Sequence, residues 1–263
     1  MLEETGREYS FTRGDHEFDS RGTRCAAWLY SPDGADNPPV VVMAHGFGAQ
    51  RDFGLPPFAE RFARRGMAVF IFDYRNFGAS EGEPRNLVSN SRHLQDWEAA
   101  LAYVRGLTGI AADRMGLWGS SFSGGHVIVT ASRDAGVSAM VSQVPFVDGI
   151  TTAFRTGIKH ATQATVAGVK DVVRMITGRG PYCVPIVSGP DTFGLMNSPE
   201  CKPGYMAIVP EETDWINECP ARAVLELLLY RPSIWQSLRC LSIITAIVPR
   251  GPVIISMWPV NGR

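Results

Sequence analysis

The stretch Arg114-Met115-Gly116-Leu117-Trp118-Gly119-Ser120-Ser121-Phe122-Ser123-Gly124-Gly125-His126-Val127 decides how this 263-residue chain folds. It reads as a short buried strand, a tight turn carrying a serine, and a helix that opens on glycines. A serine on a sharp strand-to-helix turn projects its hydroxyl from the edge of a sheet, and the first N–H groups of the helix stand free beside it. Small residues are needed two before and two after that serine, so that strand and helix can pass closely. With Ser121 in the turn, those positions are Gly119 and Ser123. Taking Ser123 as the projecting residue places Ser121 and Gly125 there, but sets the serine deeper in the helix, so the first frame is preferred.

Upstream, Val40-Val41-Val42-Met43-Ala44 is a continuous apolar run of the kind that forms a strand buried on both faces. It ends in His45-Gly46-Phe47-Gly48. Residues 55–65 have helical spacing, with Pro56 and Pro57 tolerable in the first turn. Met67-Ala68-Val69-Phe70-Ile71-Phe72 is a second buried strand, ending at Asp73-Tyr74-Arg75-Asn76. Residues 91–107 form an amphipathic helix with Leu94, Trp97, Leu101 and Val104 on one stripe. A further strand spans 137–144. Near the N-terminus, 8–11 and 23–30 read as two short strands separated by polar and glycine residues. Strands alternating with helices in this way predict an α/β class, doubly wound, mostly parallel sheet covered on both faces.

From Gly149 the rhythm changes. Residues 150–177 read as helical, 178–210 are rich in Pro and Gly, and 211–230 return to helical spacing around Trp215, Val224 and Leu228. The expected organisation is therefore a core over 1–149, a helical lid insertion over 150–232, and a C-terminal part of the core over 233–263. In that last part 241–248 resumes a strand pattern.

Composition bounds the function. The chain is 45% hydrophobic and 19% charged with a formal net charge of −1. That describes an ordinary globular protein, with no electrostatic reason to expect nucleic acid or an anionic membrane as partner. Five cysteines, scattered and without a Cys-x-x-Cys pair, indicate neither a zinc site nor a disulfide framework. No cofactor or metal is expected. The acidic, polar start lacks a signal-peptide pattern and no apolar run is long enough to span a bilayer, so a cytoplasmic protein is the expectation.

Three segments carry chemistry. Ser121 is the candidate nucleophile. The glycine-rich loop after the first buried strand is the place for an oxyanion donor, which assigns one backbone N–H to Phe47 and the other to Phe122, the residue after the serine. His45 lies beside that loop, on the wrong strand for a general base, and is expected to bond loop backbone. Asp73, at a strand's carboxyl edge, could be catalytic. The preferred reading is that it and Arg75 tie down loop backbone and neighbouring strands.

On these segments, written "VVMAHGFGA", "FDYRNFGASEGEPR" and "LWGSSFSGGHV", the chain resembles the α/β-hydrolase superfamily, and within it bacterial and fungal esterase-like or acyl-hydrolase-like members. The resemblance implies an eight-stranded sheet, a lid over an acyl pocket, Ser121 as nucleophile, and Phe47 and Phe122 as oxyanion donors. The expected partner is a small-molecule acyl substrate, as an ester or thioester.

The rest of a triad is not where the resemblance puts it. The chain order should be Ser, then Asp or Glu, then His. Glu226 is the last acidic residue, and the histidines are His16, His45, His93, His126 and His160. His126 sits on the helix that follows Ser121 and cannot fold back to it. His160 falls in the lid. Asp148 is the best remaining acid, with a loop role as the preferred reading. The resemblance implies several dozen further residues carrying acid, histidine and a last helix, so the proline-rich ending is expected to reflect a truncated, frameshifted or decayed C-terminus. Two functions stay open: a serine hydrolase acting through an acyl-enzyme, and a non-catalytic member of the fold. No imidazole is expected within hydrogen-bond reach of Ser121.

Overall fold

The computed structural model describes residues 8–236, together with the backbone strands at 243–247 and 254–257. In chain order the strands that build the main sheet are β1 (Phe11–Ser20), β2 (Thr23–Pro32), β3 (Pro39–Ala44), β4 (Ala68–Phe72), β5 (Ala111–Ser120) and β6 (Val137–Gln143). Helices α1 (Pro56–Arg64), α2 (Asn90–Arg105) and α3 (Phe122–Arg133) connect the inner ones. After β6 come α4 (Gly149–Thr156), α5 (Ile158–Ile176), β7 (Cys183–Val184), α6 (Cys201–Met206), β8 (Cys219–Pro220), α7 (Ala223–Leu229) and α8 (Ser233–Gln236). Two more sheet strands follow, β9 (Ile243–Ile247) and β10 (Ile254–Met257).

The main sheet has eight strands in the order β1-β2-β4-β3-β5-β6-β9-β10. β4, β3, β5, β6 and β9 are parallel, while β1, β2 and β10 pair antiparallel at the two edges. The unbroken apolar runs are explained by what covers them. Val40, Val42 and Ala44 of β3, Phe70 and Phe72 of β4 and Leu117 of β5 face one side, with Trp97 and Leu101 of α2 and Val127 of α3. Met43, Val69, Ile71 and Trp118 face the other, with Ala59 and Ala63 of α1. Successive side chains of one strand thus enter two cores. Each large side chain fully buried there contributes roughly 1.5–3 kcal/mol.

Two expectations need correction. The first strand is not 8–11: it is ten residues long and pairs with β2 over its whole length, Phe11 opposite Pro32 through Ser20 opposite Thr23. As an edge strand with one face in solvent it needs few apolar residues; Phe18 and Ser20 turn inward, whereas Asp15, Glu17 and Asp19 stay exposed. The helical reading of 211–230 holds only for α7, because 211–218 runs as irregular chain. Residues 150–177 form two helices, separated by Gly157 at φ 89°. The strand read at 241–248 is β9, parallel to β6. Among the described residues no helix is long and apolar enough to cross a membrane, and no cluster of three His, Cys, Asp or Glu could hold a metal. Cys25, Cys183, Cys201 and Cys219 are free thiols, and Cys240 lies outside the described residues.

Candidate active site

At the end of β5, Ser121 has φ 56° and ψ −118°, a conformation that L-residues avoid at a cost of about 1–3 kcal/mol. Three backbone hydrogen bonds hold it there. Ser121 N–H donates to the Gln143 carbonyl (2.9 Å), and the Ser121 carbonyl accepts from Phe146 (2.9 Å) and Gly125 (3.3 Å). The turn is tight enough that a Cβ on Gly119 would lie 2.5 Å from the Ser123 carbonyl oxygen. A Cβ on Gly125 would run into the Phe146 carbonyl oxygen. Ser121 is exposed, while Ser123 is fully buried inside α3 with its hydroxyl 3.4 Å from the Tyr74 hydroxyl. The geometry thus projects Ser121 and not Ser123.

The loop after β3 lies alongside. A Cβ on Gly46 would stand 4.0 Å from Ser121 Oγ. Phe122 is the first residue of α3, so its N–H has no carbonyl partner within the helix. The Phe47 and Phe122 rings pack edge to face with centroids 5.5 Å apart, which fixes the spacing of the two loops. His45 is buried and its Nδ1 donates to the Gly46 carbonyl (3.0 Å). Because a trans peptide sets C=O and N–H antiparallel, holding that carbonyl aims the Phe47 N–H the opposite way. Burial lowers the His45 imidazole to about 3, so it stays neutral. It therefore bonds loop backbone, as the sequence implied.

Asp73 also behaves as a tie. Its carboxylate accepts from the backbone N–H groups of Arg51 (2.7 Å) and Ala79 (3.2 Å) and lies 3.3 Å from the Arg51 guanidinium. Burial raises its carboxyl to about 6 even so. Arg75 is bonded to the buried Asp96 carboxylate, the Arg92 carbonyl and Gln95. Asp148 caps α4 by accepting from Thr151 N–H (2.8 Å) and pairs with Arg231 (2.7 Å). These two partners hold its carboxyl below the usual range.

None of the five histidines hydrogen-bonds Ser121. His16 meets Tyr103, His45 meets Gly46, and His93 Nδ1 lies 3.3 Å from His126 Nε2. His126 is fully buried, with Nδ1 at 2.6 Å from the Tyr230 hydroxyl, and His160 packs on Phe193. His126 is thus a core residue. The region where an acid and a histidine would follow β9, residues 249–263, lies outside the described residues apart from β10, and contains neither residue type.

Beside Ser121 opens a cavity of about 240 Å³. Its walls include Phe47, Phe53 and Phe58 from the core and Met196, Tyr205 and Ile208 from the segment after β6, and among the described residues no His, Asp, Glu, Lys or Arg lines it. Sequence reading did not single out the last three, which lie in a stretch without periodicity. Trp215 it took for a helical residue. In the structure the Trp215 indole donates to the Gly48 carbonyl (2.8 Å) and the Tyr205 hydroxyl to the Phe47 carbonyl (3.0 Å).

Comparison with known proteins gives the family and the fold. Residues 21–178 match the family described as X-Pro dipeptidyl-peptidase (S15 family). The quorum-quenching protein AidA of Acinetobacter baumannii is 40% identical over 218 residues, which cover 83% of this chain and 72% of that protein. The thiohydrolase aneE of Aspergillus aculeatus is 39% identical over 115 residues, 44% of this chain and 36% of that protein. Among solved structures, the α/β hydrolase GrgF from Penicillium sp. sh18 superposes with a TM-score of 0.76 at 22% identity, over 89% of this chain and 79% of that one. At that identity the likeness establishes the fold.

Proposed function

We propose, for a chain that belongs to the X-Pro dipeptidyl-peptidase (S15) family and has the α/β-hydrolase fold, that Ser121 is the nucleophile of an ester or thioester hydrolase. Ser121 Oγ attacks the acyl carbonyl and the Phe47 and Phe122 N–H groups receive the oxyanion. The alcohol or thiol departs, and water then cleaves the acyl-enzyme. The observation that carries this reading is the Ser121 backbone, strained at φ 56° yet exposed, with a helix start and a glycine loop beside it. Backbone strain of this kind, held by three hydrogen bonds, clusters at reactive sites.

The cavity favours an uncharged acyl group. An X-Pro dipeptide carries a charged amino end, and among the described residues no carboxylate lines that wall to receive it. The activities for which AidA and aneE are named, quorum quenching and thiohydrolysis, are compatible with acyl chemistry on small molecules. In this reading residues 150–232 are the lid, because Met196, Tyr205 and Ile208 roof the cavity.

A second reading, a non-catalytic member of the fold, is favoured by one observation: no imidazole reaches Ser121. Without a base, the oxyanion hole and binding alone leave a rate several orders of magnitude lower. An alkyl fluorophosphonate separates the two. Covalent labelling of the wild-type protein, lost in Ser121→Ala, supports the hydrolase; folded protein that takes no label sinks it for this chain.

A further inference from the structure

The loop that carries Phe47 is held by more than its own residues. Three successive carbonyls have partners: Gly46 accepts from His45 Nδ1 and Ala49 N–H, Phe47 from the Tyr205 hydroxyl, and Gly48 from the Trp215 indole. Peptide planarity links the outer two, and the Tyr205 bond to the Phe47 carbonyl fixes the peptide plane on the other side of the Phe47 Cα. Fixing the Gly48 carbonyl orients the Ala49 N–H, which donates to the Gly46 carbonyl at 3.4 Å. Fixing the Gly46 carbonyl in turn orients the Phe47 N–H. Gly48 itself, at φ +67°, has no room for a side chain, since a Cβ there would lie 2.7 Å from Ile186 Cδ1. The loop is not stiffened by a side chain at that position, and two of the bonds that hold it come from outside.

Both outside donors belong to the segment that roofs the cavity. The Tyr205 and Trp215 rings stack with centroids 5.5 Å apart, and Phe53 packs against each, at 6.2 and 5.4 Å. Burial pushes the Tyr205 phenol far above its usual range, so its hydroxyl keeps its proton and donates. The same Tyr205 ring forms part of the cavity wall.

We infer that Tyr205 and Trp215 are positioning residues that clamp the oxyanion loop from the segment roofing the cavity, so that the roof of the acyl pocket and the oxyanion hole are built as one unit. The inference rests on Ser121 and Phe47 acting as proposed above. Neither aromatic residue touches the reacting atoms; each acts through a loop carbonyl.

Tyr205→Phe is the discriminating variant, because it keeps the ring in the wall and removes only the donor. Labelling by an alkyl fluorophosphonate is followed as a function of probe concentration, giving an affinity and a maximal rate. The maximal rate is expected to fall on the order of tenfold, the effect of one lost hydrogen bond, with affinity unchanged. Trp215→Phe is expected to behave alike. A residue that only lined the cavity would change affinity and leave the rate. In parallel, amide hydrogen exchange of residues 45–50 is measured in the same proteins and is expected to speed up about tenfold in either variant. A Tyr205→Phe protein that labels at the wild-type maximal rate overturns the inference. If wild type takes no label, the hydrolase reading fails instead. The exchange measurement then decides the clamp alone: unchanged protection overturns it, faster exchange upholds it.

Discussion

Replacing Gly119 by Ala tests the tight crossing on which the Ser121 geometry depends. The new Cβ would lie 2.5 Å from the Ser123 carbonyl oxygen, 2.7 Å from its carbon and 2.9 Å from its Oγ. The nearest of these is about 0.9 Å inside an ordinary contact of roughly 3.4 Å. Two of the three atoms are backbone, in the first turn of α3, so the strand and the helix must separate. Overpacking of this kind costs about 1–3 kcal/mol. A cost of about 2 kcal/mol lowers Tm by roughly 4–8 °C in a chain of this size. The displaced turn carries both Ser121 and the Phe122 N–H, and a shift of about 1 Å in reacting geometry costs on the order of 10²-fold in rate. Gly116→Ala is the internal control. It lies on the same strand, but its Cβ would find nothing closer than 3.8 Å. Thermal melts and Ser121 labelling rates of both variants are the assay. A Gly119→Ala protein that melts and labels like wild type refutes the argument, and so does a Gly116→Ala protein equally impaired.

Buried histidines should make stability fall with acid. Burial lowers His45 and His126 to about 3, so the unfolded chain binds their protons near the ordinary 6.5 while the native chain does not. Their contribution is full above about pH 6.5 and is lost towards pH 3, at about 1.4 kcal/mol per pH unit each. His93 is lowered likewise, while Asp73, raised to about 6 by burial, works oppositely between about 4 and 6, and the carboxyls of half-buried Asp52 and buried Asp96 are raised in the same sense. Urea midpoints measured from pH 7 to 4 should depend less steeply on acid in His126→Gln than in wild type, and an unchanged slope would refute this assignment. Separately, the Glu226 carboxylate accepts from the Asn90 N–H (2.9 Å) and the Ser89 hydroxyl (2.9 and 3.0 Å), so it anchors the N-terminus of α2. Glu226→Ala is expected to cost about 1–2 kcal/mol in chemical denaturation; a midpoint equal to wild type would show the anchor to be idle.

Legibility in the sequence followed burial. β3 and β4 were readable because both faces of each are covered, which demands an unbroken apolar run such as Val40 to Ala44. β1 was misplaced because an edge strand needs only His16, Phe18 and Ser20 to turn inward, and Gly14 interrupts even that pattern. The Ser121 turn was legible from Gly119 and the glycines after it, since close backbone approach restricts residue type directly. The roof of the cavity was not. Met196, Tyr205 and Ile208 lie in or beside short, irregular elements where no period exists to read. Trp215 matched a helical spacing by coincidence; its position is set by packing on Phe53 and Tyr205 and by a hydrogen bond to Gly48, a partner 167 residues away in the chain.

Beneath Phe122 lies a floor of aromatic and imidazole rings: Tyr74 stacked on His93 at 4.0 Å, His93 bonded to His126, and His126 bonded to Tyr230. Burial keeps both imidazoles unprotonated and both phenols protonated across the physiological range. The ground under the Phe122 N–H is thus hydrogen-bonded but carries no net charge. The floor itself adds no titrating charge, and the backbone dipoles above it need not reorient as charge develops. The reactivity of Ser121 then inherits no pH dependence from this floor, so a pH–rate profile reports on whatever group accepts the serine proton.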